Sequence, residues 1–464
     1  NYLPAIRLLG AIALNKGELN QAQEMLTKAH SLEPKDIKIL KALAETQYQT
    51  KEYVKARISL KKILDLAPKE AAALSMLGSV YLKLGETDKG KKYMEEAVKI
   101  DPDAAALKTN LALANIALGD TKGAIKALEE IGDGKESNKS DALLAMAYAR
   151  DKEFERAFKI ADRLVESGSN QSGAYNLRGE INIMAKNNEA AFTDFTKALE
   201  LNSENLKALL NLARTNIIFG KYDLAKQQFQ QVLDKRKNNL EAMLGMVKIA
   251  RLNKDNLKIQ TWLESINEVH PTHIASAGLL VTLYNGQKEQ VKALAVARKL
   301  YQLYPKNADV IALYAEQLLK NGESKQAATY FKDAIAIAKD NAKLYIRLAR
   351  AYAAYGANDK ALKVINDGIK RLPKEIALYK AKVRVLMLIK KNDQALELAE
   401  ELIKKWPQDP FGYDFAGDLY SEQSKYKKAE QLYRKTIALF DNPQTRIKLH
   451  KLFVLDGNNE EAIN

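Results

Sequence analysis

The stretch AAALSMLGSVYLKLGETDKGKKYMEEAVKIDP, residues 71–102, decides the fold. Leu74, Leu77, Tyr81 and Leu84 recur at helical spacing, and Tyr93, Met94 and Val98 do so again after a break. The break is Leu84-Gly85-Glu86, where glycine supplies the left-handed conformation that stops a helix. Pro102 ends the second helix, because proline cannot continue the hydrogen-bond ladder. Gly78 and Gly90 carry no side chain to hold the two helices apart, so an antiparallel hairpin with a short interaxial distance is expected.

The same unit recurs along the whole chain. Seven of the ten prolines stand on a ruler of 34 residues, at 34, 68 and 102, at 271 and 305, and at 373 and 407. A second ruler is independent of the first: Ala22, Ala56, Gly90, Ala124, Ala157, Ala191, Ala225, Ile259, Ala293, Ala327, Ala361, Ala395 and Ala429 follow at 34, with one step of 33 from Ala124 to Ala157. About twelve residues before most of these lies another small residue, such as Gly10, Ala44, Gly179, Ala213 or Gly417. No single hairpin buries its apolar face alone, so neighbours must stack. The expected fold is all-α: a solenoid of about 13 hairpins, with a partial fourteenth from about Gln444, continuous over 1–464. Two weaker junctions are expected. At 131–138 the proline is missing and the short step is absorbed; at 253–271 the β-branched Ile259 replaces alanine, which predicts a looser hairpin and a change of curvature. Acids or asparagines after the turn, as in Pro102-Asp103 and Lys339-Asp340-Asn341, are expected to cap the following helices.

Small at position 8, alanine at 20, apolar or aromatic at 24, small at 27 and proline at 32 resembles the tetratricopeptide repeat. Leu74, Leu77, Gly78, Tyr81, Gly90, Ala97 and Pro102 carry the likeness in repeat three, and Tyr413, Gly417, Tyr420, Tyr426 and Ala429 in repeat thirteen. The resemblance implies a right-handed superhelical solenoid, with a groove lined by the first helix of each hairpin, mainly through positions 2, 5, 6 and 9, and a protein-binding role. Specific ligand patterns of that family are incomplete. Asn176, Lys207 and Asn211 come closest to the carboxylate clamp of chaperone-binding members, but the next repeat offers Glu241 and Gly245. An asparagine ladder at position 6 has only Asn110 and Asn211.

One groove segment is distinctive. Lys343, Arg347, Arg350, Lys380 and Arg384 fall at groove positions of repeats eleven and twelve, and Phe411 and Phe415, beside Asp414 and Asp418, follow in repeat thirteen. Residues 341–440 carry 20 basic and 12 acidic side chains, a concentrated share of the chain's net +15. Arginine forks match carboxylates, and adjacent aromatics stack on sugars or side chains. The expected partners are therefore proteins, through an acidic peptide, or an anionic polysaccharide, with no specific nucleic acid. The alternative is a solvated helix face with both phenylalanines packed on the neighbouring hairpin, and the charge excess itself also fits a well-solvated, lysine-rich surface.

Catalytic chemistry finds no foothold. There is no cysteine, no glycine-rich phosphate loop and no nucleophile or zinc-protease motif, so no catalytic, cofactor or metal residue is assigned. His270-Pro271-Thr272-His273 is a poor chelate with no carboxylate pair beside it. Trp262, Trp406 and the tyrosines sit at packing spacing. No apolar run reaches the ~18–20 residues that cross a bilayer. The chain opens at Asn1-Tyr2-Leu3-Pro4 and closes at Ala462-Ile463-Asn464 inside an expected helix, so a fragment of a longer chain is expected.

A narrower resemblance lies in the wording of Asn1-Tyr2-Leu3-Pro4-Ala5 with Leu9-Gly10-Ala11, of Gly119-Asp120-Thr121 with Ala124, of Asp409-Pro410-Phe411-Gly412-Tyr413 through Ala416-Gly417-Asp418-Leu419-Tyr420, and of Arg446-Ile447-Lys448-Leu449-His450-Lys451-Leu452. These phrases resemble the tetratricopeptide lipoprotein of bacterial exosortase (PEP-CTERM) systems, which accompany exopolysaccharide production and surface-protein sorting in Gram-negative bacteria. That resemblance implies a periplasmic, non-enzymatic scaffold held at the outer membrane by an N-terminal lipid anchor outside this sequence. A tetratricopeptide adaptor of another polysaccharide exporter, of the cellulose type, is an alternative. So is the targeting solenoid of an enzyme whose catalytic domain lies elsewhere, in which case a cytoplasmic location also fits.

Overall fold

The computed structural model describes residues 2–131, 138–168 and 170–457. Among them are twenty-seven helices and no strand, in two compact units, Asn1–Gly245 and Met246–Asn464. The first unit pairs α1 (Leu3–Lys16) with α2 (Leu19–Leu32), α3 (Ile37–Gln49) with α4 (Tyr53–Leu66), α5 (Ala71–Lys83) with α6 (Thr87–Ile100), and α7 (Ala105–Ala117) with α8 (Thr121–Glu129). It continues with α9 (Asn138–Arg150) and α10 (Phe154–Glu166), α11 (Gln171–Met184) and α12 (Asn188–Leu201), and α13 (Leu206–Ile218) and α14 (Tyr222–Lys235). The division falls within α15 (Leu240–Leu252). The second unit holds α16 (Asn256–Val269), then α17 (Ile274–Gly286) with α18 (Gln290–Leu303), α19 (Ala308–Lys320) with α20 (Ser324–Ile337), and α21 (Ala342–Ala354) with α22 (Asn358–Arg371). It ends with α23 (Ile376–Leu388) and α24 (Asn392–Lys405), α25 (Pro410–Glu422) and α26 (Tyr426–Leu439), and the unpaired α27 (Pro443–Leu455). The expected all-α array of thirteen hairpins and part of a fourteenth is what the helices form.

Each hairpin closes at the lattice residue. Every alanine of that column is wholly buried, from Ala22 to Ala429, whereas Ile259 is only half-buried. Facing it, position 8 is matched in size to position 24. Where position 24 is bulky, glycine often stands opposite: a Cβ on Gly179 would come 2.5 Å from the Phe195 ring, one on Gly78 2.6 Å from Met94, and one on Gly417 2.7 Å from Tyr433. Of the two expected junctions, residues 132–137 lie outside the described residues, and 253–271 contains the helix α16, on which Ile259 stands.

The turn inside each hairpin is uniform in geometry and not in sequence. The fifth residue before the lattice position has positive φ in all thirteen repeats: a glycine at Gly17, Gly85, Gly119, Gly220, Gly322 and Gly356, but lysine at 51, 152, 186, 254, 288 and 390, and serine at 424. The next residue always donates its N–H to the carbonyl five positions back, as in Glu52 to Gln47 at 2.8 Å and Lys391 to Leu386 at 2.9 Å. That bond is the Schellman closure, and it holds lysine in a conformation glycine adopts freely. Between repeats, Asn341 caps α21 by accepting from the Lys343 N–H at 3.1 Å. Asp103 does not cap. It stands one residue short, and Ala104 occupies the N-cap of α7 with no side-chain bond.

Two outcomes follow for stability. Lys51→Gly should raise it by roughly 0.5–1 kcal/mol, because relief of the ~1–2 kcal/mol left-handed cost exceeds the chain-entropy cost of glycine. Gly179→Ala should lower it by roughly 1–3 kcal/mol through overpacking against Phe195, and a second change, Phe195→Leu, should restore part of the loss. Urea midpoints of the four proteins provide the check.

Candidate functional site

Within each unit the first helices of neighbouring repeats touch one another: α1 with α3, α5 with α7, α9 with α11 and α11 with α13 in the first unit, and α19, α21, α23 and α25 in succession in the second. Consecutive second helices approach less closely among the described residues. Each unit therefore has an inner face of first helices, on which positions 2, 5, 6 and 9 stand, as the repeat pattern leads one to expect.

In the first unit the polar part of this face is self-occupied. Asn176 and Asn211 donate to one oxygen of Glu180 at 3.0 and 2.9 Å, and the Lys207 ammonium lies 2.9 Å from the same oxygen. Asn211 also donates to Asn176 at 3.0 Å, and Arg214 pairs with Glu241 at 2.8 Å. The three side chains nearest to a carboxylate clamp thus already hold a carboxylate, that of Glu180.

The second unit differs. Position 9 reads Glu316, Arg350, Arg384 and Asp418 across α19, α21, α23 and α25. At one end, Arg350 donates to Glu316 at 3.0 Å and the Arg347 Nε stands 3.9 Å from its other oxygen. At the other end, Lys448 of α27 bridges Asp414 and Asp418, 2.7 Å from each. Burial pushes the Asp418 carboxyl above its ordinary range despite these bonds, and burial also opposes the charge on Lys448, which its two carboxylates nevertheless hold above the usual lysine value. Between these ends, Lys380 pairs with Asp409, the N-cap of α25, at 2.6 Å. Arg384 is exposed and has no carboxylate partner among the described residues. Its guanidinium lies over the rings of Phe411 and Phe415, 5.1 and 5.7 Å from their centroids. Those rings stack on each other at 4.0 Å and are half-buried against the core of repeat twelve, which includes Val383, Leu386 and Leu398. Lys343 is exposed, with its backbone engaged by Asn341.

The residues singled out from sequence therefore lie on one set of neighbouring helices, α21, α23 and α25, but in unequal states. Arg347, Arg350 and Lys380 are engaged by acids of the chain itself, and Phe411 and Phe415 serve as packing and as a platform. Glu316 and Asp409, the acids that engage them, were not singled out. Their offsets of 29 to 34 residues from their partners carry no local signal in the sequence. Elsewhere, the His273 ring accepts from the Ser276 N–H at 3.3 Å and so caps α17, and no cluster of three metal-ligating side chains exists among the described residues. No helix among the described residues is long and apolar enough to cross a membrane.

Residues 13–80 and 318–386 match one tetratricopeptide-repeat sequence profile and residues 71–104 match another. These stretches are similar in sequence to tetratricopeptide repeats. Residues 184–272 match the profile of anaphase-promoting complex subunit 5. No curated protein matches the sequence. Among solved structures, a tetratricopeptide repeat protein from Parabacteroides merdae is similar at 19% identity and a TM-score of 0.44, over 50% of this chain and 92% of that one. A chain of the APC/C hetero-tetramer Cut9-Hcn1 is similar at 13% identity and 0.39, over 97% and 96%. Yeast Tom70 is similar at 16% identity and 0.39, over 90% and 95%.

Proposed function

We propose that this chain is a non-enzymatic protein-interaction scaffold that receives an acidic partner segment on the inner face of its second unit. Tetratricopeptide folds mediate protein binding, and the observation that carries the reading here is Arg384. It is an exposed guanidinium on a two-ring platform, without a carboxylate of its own, in a row whose other charges are all paired. A guanidinium held on aromatic faces keeps its donor edge free for a carboxylate and loses little side-chain entropy on binding one.

The wording shared with the exosortase-associated lipoproteins supports a setting in the bacterial envelope. There the scaffold would be anchored by lipid upstream of this sequence, face the periplasm, and serve exopolysaccharide export or surface-protein sorting. Fractionation of the native host by osmotic shock tests the location: recovery of the protein with the cytosol overturns it.

Binding of fluorescein-labelled polyglutamate, followed by anisotropy at low and high salt, tests the site. Arg384→Glu should weaken binding roughly tenfold or more, because the reversal adds repulsion to the lost pair. Lys207→Glu, on the self-occupied face of the first unit, should leave it near the wild-type value. Equal losses from both changes, or none from Arg384→Glu, overturn the assignment.

A further inference from the structure

Glu316 is a largely buried carboxylate on the inner face of the second unit that is only half satisfied. Its side chain is only 17% exposed, and one oxygen accepts from Arg350 at 3.0 Å. The other oxygen is buried and has no hydrogen-bond partner; the nearest cation, the Arg347 Nε, is 3.9 Å away. A buried acceptor left without a donor carries a desolvation cost that the single bond does not fully offset. Asp418, at the same position three repeats on, shows the satisfied case: one oxygen accepts from the Tyr433 hydroxyl at 2.8 Å and the other from Lys448 at 2.7 Å.

We infer that Glu316 is an internal competitor for the binding site of the second unit, and that the ligand it competes with is an extended acidic peptide carrying two carboxylates about one repeat apart. This rests on the proposed function above and goes further by naming the ligand's spacing and what regulates its entry. One ligand carboxylate takes the free fork of Arg384. The second replaces Glu316 on Arg350 and, with both of its oxygens free to turn, reaches Arg347 as well. Glu316 then regains water at its unpartnered oxygen. The exchange therefore trades a poorly satisfied pair for a better one.

Spacing selects the ligand. Arg350 and Arg384 hold position 9 on α21 and α23, neighbouring helices in contact, whose axes lie roughly 8–10 Å apart as packed helices do. An extended peptide advances about 3.3 Å per residue, so acids three residues apart span roughly 10 Å. The aromatic platform argues for a peptide over a sugar. Phe411 has Lys380 at 5.0 Å and Arg384 at 5.1 Å over its ring and Phe415 stacked at 4.0 Å, so it offers no open face to a sugar ring.

The experiment uses the whole chain and two labelled peptides of equal charge, one with glutamates three residues apart separated by glycines, the other with the same glutamates adjacent. The spaced peptide should bind more tightly. Glu316→Gln should tighten it by roughly two- to fivefold, the factor set by the worth of an exposed pair. Glu316→Asp, which keeps the charge but withdraws it from Arg350, should shift affinity the same way and stands in if the amide variant folds poorly. Asp65→Asn removes one negative charge from an exposed position on α4 of the other unit and should change nothing. Unchanged affinity in both Glu316 variants, with Arg384→Glu still disruptive, overturns the inference and leaves the proposed function in place. An equal gain from Asp65→Asn traces the effect to net charge and overturns it too. Tighter binding of an oligogalacturonate than of the spaced peptide, lost with Arg384→Glu, assigns the site to an acidic polysaccharide and overturns the peptide.

Discussion

The close approach of the two helices in each hairpin is the constraint on which everything else hangs. It is set by a wholly buried alanine on the second helix and by a small residue on the first that yields to a large one sixteen positions later, as Gly179 does to Phe195 and Ala44 to Leu60. Interiors at crystal-like density tolerate little change in such a pair. Because the hairpins are narrow and their first helices touch those of the next repeat, positions 2, 5, 6 and 9 are presented in rows with fixed spacing. A ligand that reads the rows is measured against a ruler the core maintains.

The charge of the chain is organised by the same lattice. Arg7 with Asp36, Lys41 with Glu70 and Lys380 with Asp409 join position 5 of one first helix to the N-cap residue of the next, at 3.4, 2.7 and 2.6 Å. On the second helices, Arg57 with Glu86 and Lys91 with Asp120 repeat the scheme at 3.4 and 2.7 Å. A carboxylate at a helix N-terminus also meets the positive end of the helix dipole, so each such pair serves two helices. Being partly exposed, each contributes little alone, but together they consume cations that a count of 73 basic side chains would take as available. Among the described residues Arg178, bound to Asp162 at 2.8 Å and to the buried Asp194 at 2.7 Å, carries ion pairing into the interior.

What could be read from the sequence follows from this division. The lattice alanines, the helical periods and the inter-repeat prolines are local or strictly periodic, so the hairpins were legible to within a residue or so; α27 begins at Pro443 where Gln444 was expected. The left-handed turn was legible where glycine marks it and hidden where Lys51 or Lys254 takes the same φ, because the closure is made by backbone atoms. The cap expected at Asn341 is present and the one expected at Asp103 is not, since a single residue of offset moves a side chain off the helix start. At the candidate site, the side chains could be assigned to one face but not to their states. Whether an arginine at position 9 is free depends on position 9 of the preceding repeat, and nothing in a single repeat reports it.

That dependence on the neighbour recurs in a second form, and it shows how the array gains stiffness without a larger core. Tyr148 donates to Glu129 of the preceding repeat, Tyr284 to Glu264 at 2.6 Å and Tyr420 to Glu400 at 2.6 Å. In each case a cation two turns along the chain, Arg156, Lys292 or Lys428, covers the tyrosine ring. The hydroxyl bond ties two hairpins, and the cation shields that bond from water, which strengthens it. Both units carry the clasp, in repeats five, nine and thirteen. Where the acid is absent, as before Tyr81 and Tyr352, the ring still lies under a lysine but donates to no carboxylate across the junction, and the polar ties there include the ion pairs of Lys41 with Glu70 and of Arg350 with Glu316. Polar fastening of this kind is therefore intermittent along the array, and the position-9 row of the second unit is broken at Arg384, where the charge faces solvent in place of a carboxylate of the chain.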